Sequence, residues 1–326
     1  MNILLVGGCG YVGGYLTDKL IIDGHDVVIY DNLMYESRFL KKVPFVYGDI
    51  REFDRLGKIL NNFDIVIWLA ALVGDGACSI NPSLTDLLNY KCVKWIVDNF
   101  KKEIIFLSTC SVFGMNNDII NEDAPTNPLS KYAETKLKAE KYIVENSNNY
   151  LIFRLGTLFG LGDEFLRLRL DLVTNILTLK ATKKIPLTVF GGEQWRPLLH
   201  VKDVAEAVSF SVLHDIKGLY NLSYENFTIK EIAENIQKFI PGSELVCTDI
   251  KYEDLRNYKI DPSKFYATGW KPIYDLEYGI KEIHNVILEN RIVNPNDPIY
   301  SNAIYLKERL WLVYLRERLR QMIEVL

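Results

Sequence analysis

Residues 1–14, MNILLVGGCGYVGG, decide the fold. Ile3-Leu4-Leu5-Val6 is a continuous apolar run, the pattern of a strand covered on both faces in a parallel sheet. Gly7, Gly10 and Gly13 follow at once. Val12, Leu16 and Leu20 then recur at i, i+4 and i+8 on one helical face, with Gly24 as a stop. Glycines at these three places permit a tight turn, close approach of the backbone to a pyrophosphate, and close helix–strand contact. The helix N-terminus, with Tyr11 and Val12 leading into it, offers N–H groups and a positive dipole end to phosphates. Asp31 ends the second apolar run 18 residues after Gly13. An acid there accepts ribose hydroxyls and repels a 2′-phosphate, so the expected cofactor is NAD rather than NADP.

Outward from this stretch, continuous apolar runs recur at 27–30, 45–47, 65–69, 104–107 and 151–153, separated by helical patterns. Such alternation predicts an α/β fold, a Rossmann-type doubly wound parallel sheet. Gly48-Asp49-Ile50 closes the third run, where the Asp49 carboxylate is placed to meet an adenine amino group. After about Gly160 the alternation loosens, and Pro186, Pro197, Pro241, Pro262 and Pro272 cut the chain into short elements. We therefore expect an NAD-binding domain at 1–160 and a smaller mixed α/β substrate domain at 161–292, with some segments returning to the first body. A linker and an amphipathic helix are expected at 293–326.

Composition narrows the class. Hydrophobic residues at 48% and charged residues at 25% exclude disorder and fibrous repeats. No apolar run reaches the ~18–20 residues of a membrane span, and residues 1–14 lack the marks of a signal peptide. A net charge of −4 with interleaved signs gives no basic surface for nucleic acid. Five cysteines without a C-x-x-C pair argue against disulfides and structural zinc. The expectation is a reduced, cytoplasmic protein with no metal. His200 reads as a satisfied core histidine, and His25, His214 and His284 lack partners at metal-ligand spacing.

Tyr132 and Lys136 form Y-x-x-x-K on a predicted helix, which puts both side chains on one face. A phenol has a pKa of about 10, so it needs a nearby positive charge to work as a base near neutrality. The pair lies 18 residues after Ser111-Val112-Phe113-Gly114, within the run Ser108–Gly114 that ends the fifth strand, at the carboxyl edge where open α/β sheets bind ligands.

At this point the chain resembles the extended short-chain dehydrogenase/reductases, specifically the sugar-nucleotide epimerase/dehydratase family. The resemblance covers roughly residues 1–290. It rests on GGCGYVG, DNL at 31–33, GDI at 48–50, WLAA at 68–71, STCSVFG, YAETK, FRLGTLFG at 153–160 and WRPLLHVKDVA at 195–205. It implies Thr109 as hydroxyl partner, Tyr132 as acid/base, and Lys136 as activator and ribose ligand. It further implies that Asn32, Leu69, Ala70, Ala71 and Asn89 contact the cofactor. Val73, Thr157, Asn175, Phe190 and Arg196 fall at substrate positions, with Arg196 on the diphosphate and Phe190 on the base.

Departures from the pattern are Trp68 for a histidine, Val73 for a lysine and Thr157 for an asparagine. Cys110 and Ser111 stand where dehydratases carry an Asp–Glu pair, so the carboxylate that assists water elimination is missing. Cys110 reads as a small buried filler, and Trp68 as a filler at the sheet's edge. The loop Leu72–Cys78 resembles that of bacterial surface-polysaccharide enzymes, GDP-heptose 4-dehydrogenases among them.

The reading that results is NAD-dependent oxidation of a ring hydroxyl, at carbon 4, of a nucleotide-diphosphate sugar, as a 4-dehydrogenase or a 4-epimerase. Reduction of a non-sugar carbonyl and dinucleotide sensing without turnover are the alternatives. The resemblance also implies a homodimer through helices near 84–98 and 130–146. The apolar residues Leu306, Leu310, Trp311, Leu312, Tyr314, Leu315, Leu319, Ile323 and Leu326 are expected to pack on the chain's own body or on a neighbour. In the second case the dimer extends to a tetramer.

Overall fold

The computed structural model describes residues 1–248 and 256–309. Its main sheet has seven strands in the order Gly218–Leu222, Tyr150–Leu155, Glu103–Thr109, Ile65–Trp68, Asn2–Val6, Asp26–Asp31 and Phe45–Tyr47, all parallel to their neighbours. Successive side chains of a strand point to opposite faces. Ile3 and Leu5 therefore enter one core with Ile65, Ile67, Ile105 and Leu107. Leu4 and Val6 enter the other with Val66, Trp68, Ile104 and Phe106. That is why these strands read as unbroken apolar runs. Trp68 ends a central strand and is fully buried, so it fills this second core and not the sheet's edge.

The helix Gly13–Ile22 packs on one face together with Val201–Leu213, a segment returning from the second half. The seventh strand, GLYNL, returns likewise; its polar residues and half-exposed start hide it from an apolar-run reading. On the other face lie Cys92–Asn99 and Lys131–Asn146.

A third core forms around Phe159, Leu177, Leu187, Val189, Ile232, Ile236 and Ile280. It belongs to a three-stranded sheet (Glu225–Thr228, Trp195–His200, Thr157–Phe159), a two-stranded one (Leu245–Thr248, Leu187–Phe190) and the helices Val173–Thr182, Ile229–Phe239 and Leu276–Leu288. The 293–300 stretch, read as a linker, ends in a short helical turn, Pro298–Tyr300, whose Tyr300 carbonyl accepts from the Leu170 N–H at 2.9 Å. Residues 302–309 are helical, with Leu306 buried in the same core as Trp68 and Leu72. The expected contacts of Leu310, Trp311, Leu312, Tyr314, Leu315, Leu319, Ile323 and Leu326 lie outside the described residues. Among the described residues no helix is long and apolar enough to cross a membrane.

Candidate active site

At the carboxyl ends of the main strands a cavity of about 1410 Å3 opens, lined on its other side by residues of the third core such as Leu177 and Val189. A cleft for one small ligand occupies ~300–1,000 Å3, so this one has room for two. One end is the glycine turn. Gly7 has φ +84°, and a Cβ there would lie 2.5 Å from the Ala70 amide nitrogen. A Cβ on Gly13 would strike the Gly8 carbonyl. Only glycine lets the turn lie flat against both neighbours. Val12, the N-cap of the first helix, makes no side-chain capping bond, and the first turn holds no acid. Its N–H groups and positive dipole end are thus left for an anionic ligand.

Asp31 sits beside this turn. One carboxylate oxygen accepts from the Cys9 N–H at 3.0 Å and the other from the Leu33 N–H at 2.7 Å. Each oxygen keeps a lone pair for a further donor. Burial raises its pKa, opposed by those backbone bonds. Asp49 accepts from Asn32 Nδ2 at 2.9 Å and from Arg51 Nε and Nη2, both at 2.8 Å. The Arg51 hydrogen bond chiefly holds the Asp49 carboxyl down at about 2. Gly10, Tyr11, Ile50, Leu69 and Ala71 complete this end of the wall.

The centre is built on the strand Glu103–Thr109 and the helix Lys131–Asn146. Ser130 caps that helix by accepting from the Ala133 N–H at 3.2 Å, so Tyr132 projects from the first turn and Lys136 one turn on. The helix is pinned to the sheet by buried Glu140, which accepts from Arg154 at 2.9 Å and 3.0 Å and from Ser108 Oγ. Ser108 precedes Thr109, whose hydroxyl accepts from the Ser111 N–H at 3.1 Å and lines the cavity together with Tyr132. Burial above all, with Cys78 and Asp75 nearby, pushes the Tyr132 phenol up, while the Arg169 guanidinium pulls it down. Burial pushes Lys136 down to about 7, opposed by Glu140. The charge that lowers Tyr132 is therefore carried in this structure by Arg169, a residue the sequence reading did not select.

Arg169 is buried and paired with Asp171, Nε to Oδ1 at 2.9 Å and Nη2 to Oδ2 at 3.1 Å. The signal that could have found it is R-x-R-x-D at 167–171, three charges inside an apolar stretch. At the far end of the cavity stand Val73, Thr157, half-exposed Phe190 and buried Arg196. Arg196 Nη1 donates to the Trp195 and Arg256 carbonyls at 2.8 Å and 2.6 Å.

Two expected site residues lie behind the wall. Asn89, in a π-helical turn at Leu87–Lys91, exchanges bonds with the backbone of Leu72, accepting from its N–H at 2.8 Å and donating to its carbonyl at 2.9 Å. Asn175 accepts from the Gly160 N–H and donates to the Arg169 carbonyl, both at 2.9 Å. Both amides brace loops that form the site. His200 is a buried helix cap whose Nε2 lies 2.7 Å from Glu282. Cys110 is fully buried, with Sγ 3.1 Å from the Arg154 carbonyl, as a filler would be. No cluster of three metal-ligating side chains occurs among the described residues.

Comparison with known proteins agrees with this geometry. The model of the NAD dependent epimerase/dehydratase family matches residues 3–223. The UDP-glucose 4-epimerase of Halalkalibacterium halodurans is 30% identical over 315 residues, covering 84% of this chain and 91% of that protein. The structure of a Thermotoga maritima UDP-glucose 4-epimerase with UDP-glucose superposes with a TM-score of 0.77 at 23% identity, covering 89% of this chain and 100% of the other. A Bacillus cereus UDP-glucuronic acid 4-epimerase, solved with UDP-glucuronic acid and NAD, gives 0.77 at 24%, with 89% and 99% covered. The glycine turn accepts no side chain and Asp31 stands beside it, so the residues present fit NAD. The chain belongs to the NAD-dependent epimerase/dehydratase family and is an NAD-dependent enzyme.

Proposed function

We propose that the protein oxidises the carbon-4 hydroxyl of a nucleotide-diphosphate sugar, with Tyr132 as the base. The observation that carries this reading is one continuous cavity. It runs from Gly7 and Asp31, past Thr109, Tyr132 and Lys136, to Phe190 and Arg196. A dinucleotide occupies the first end, held by Gly7, Gly10, Gly13, Asp31 and Asp49, and a second nucleotide occupies the other. NAD, when bound, supplies the hydride acceptor. The chain's own residues supply the rest. Thr109 and Tyr132 take the sugar hydroxyl between them, and Tyr132 as phenolate receives its proton and becomes the neutral phenol. Lys136 and Arg169 offset the charge that the phenolate oxygen carries before that transfer. Phe190 gives the base an aromatic face, and Arg196 gives the diphosphate a planar fork of donors.

The same phenol can return a proton to the ketone oxygen, so a keto sugar held in the site and presented on its opposite face yields the 4-epimer. A released keto sugar makes the net reaction an oxidation. Cys110 and Ser111 follow Thr109, leaving no carboxylate there for water elimination, which favours these outcomes over dehydration. The likeness of loop 72–78 to surface-polysaccharide enzymes supports a GDP-heptose as one substrate to try. The test is to identify bound nucleotide by mass spectrometry, then follow reduced cofactor and sugar epimer across UDP and GDP sugars. Turnover of a nucleotide sugar supports the reading, and turnover only of an unsubstituted carbonyl compound contradicts it.

We extend the reading to assembly. The helices Cys92–Asn99 and Lys131–Asn146 pack side by side, and we place them across a two-fold axis in a four-helix bundle. Light scattering should give a dimer or its multiple; a monomer contradicts this.

A further inference from the structure

Residues 298–309 lie beyond the part of the chain the family model matches, yet Ser301, Asn302 and Ala303 line the catalytic cavity. Asn302 is buried and bonds to two separate parts of the molecule, the 167–171 loop and the loop that holds Val73. Its backbone N–H donates to Asp171 Oδ2 at 2.9 Å. Its side-chain Nδ2 donates to the Val73 carbonyl at 3.0 Å, and its Oδ1 accepts from Arg167 Nη2. Every polar group of the side chain is thus committed to the loops that flank Tyr132.

The neighbours of Asn302 hold it there. Arg167 Nη1 donates to the Ile299 carbonyl at 2.6 Å, and its guanidinium lies 4.1 Å from the Tyr35 ring centroid. Tyr35 in turn packs on Tyr305, with centroids 5.4 Å apart. Leu306 is buried in the core that also holds Leu72, Ala77 and Cys78.

We propose that Ser301, Asn302 and Ala303 form a wall of the catalytic site and that Asn302 is its positioning residue, fixing the 167–171 loop against the 72–76 loop. The connection to chemistry runs from Asn302 to Asp171, from Asp171 to its partner Arg169, and from Arg169 to the electrostatics of Tyr132. A buried ion pair holds its place only when its remaining hydrogen bonds are satisfied, and the Asn302 backbone N–H, kept in position by the side-chain bonds to Val73 and Arg167, supplies one of them. A small displacement of groups beside a reacting centre is costly in rate. The proposal rests on the nucleotide-sugar reading only for its kinetic arm.

The experiment compares Asn302→Ala, Asn302→Asp and, as a control on the same segment, exposed Lys307→Ala, each in the full chain. Asn302→Asp keeps an acceptor for Arg167 and loses the donor to Val73. Amide hydrogen exchange should quicken in Asn302→Ala at 165–171 and 72–76, remain at the parent rate at 7–13, and change less in Asn302→Asp. The turnover number on a nucleotide sugar should fall about 10- to 100-fold in Asn302→Ala, with NAD affinity kept within about twofold. The acid limb of the rate profile should move to higher pH as Arg169 loses its hold on Tyr132. Lys307→Ala should match the parent throughout. Unchanged exchange in the two loops, or exchange quickened across the whole chain, overturns the proposal. A parent that turns over no nucleotide sugar removes the functional reading and leaves the exchange arm to decide this one.

Discussion

Lys136 carries its ammonium nitrogen 3.8 Å from the centroid of the Phe106 ring, inside the core that backs the catalytic helix. The ring face attracts the cation, yet burial outweighs it and sets the lysine at about 7 against an ordinary 10.5. Between those values the unfolded chain binds more protons than the fold, so stability rises with pH. Below about 7 the fold bears the whole cost of a buried ammonium. Lys136→Met should therefore be the more stable chain just below pH 7, and its advantage should shrink as pH approaches 10.5. Denaturant midpoints for both chains across that range check this, and a constant difference contradicts it.

Asp31 predicts cofactor choice. Its two oxygens are fixed by the Cys9 and Leu33 amides, so it cannot swing away from a 2′-phosphate. NAD should bind at least about tenfold more tightly than NADP, about 1.4 kcal/mol. Asp31→Asn should narrow that gap. Calorimetric titration of both cofactors measures it; equal affinities for the parent chain contradict the assignment.

Arg196 should separate the two ligands. It is buried and oriented by the Trp195 and Arg256 carbonyls, at the end of the cavity away from the glycine turn. Arg196→Ala should weaken a nucleotide sugar by about 10- to 100-fold, about 1.5–3 kcal/mol for a lost charge-assisted bond. NAD affinity should stay unchanged. Equal loss for both ligands, or loss for neither, contradicts the division of the cavity.

The parts legible in the sequence are those set by local rules. Ile3–Val6 reads as a buried parallel strand because its side chains alternate into two cores, and Gly7 and Gly13 read as a close-approach turn because no Cβ fits there. Tyr132 and Lys136 are legible because helical spacing fixes their common face. What stays hidden depends on distance in the chain. Asn89 and Asn175 have the right chemistry for ligands, but spacing does not say which way a buried amide turns, and theirs turn to Leu72, Gly160 and Arg169. Arg169 becomes part of the site through Asp171, which is held by Asn302, 131 residues later. The strand Gly218–Leu222 is hidden because edge position leaves it half exposed, and its apolar pattern fades.

The central claim is that Tyr132, which lines the cavity with Thr109, moves the proton of a sugar hydroxyl. The direct measurement is the single-turnover rate of cofactor reduction by a nucleotide sugar, taken on the parent and on Tyr132→Phe with NAD bound to both. The account predicts unchanged NAD affinity and fold, with a rate at least ~100-fold lower in the variant. A Tyr132→Phe rate within a few-fold of the parent would contradict it.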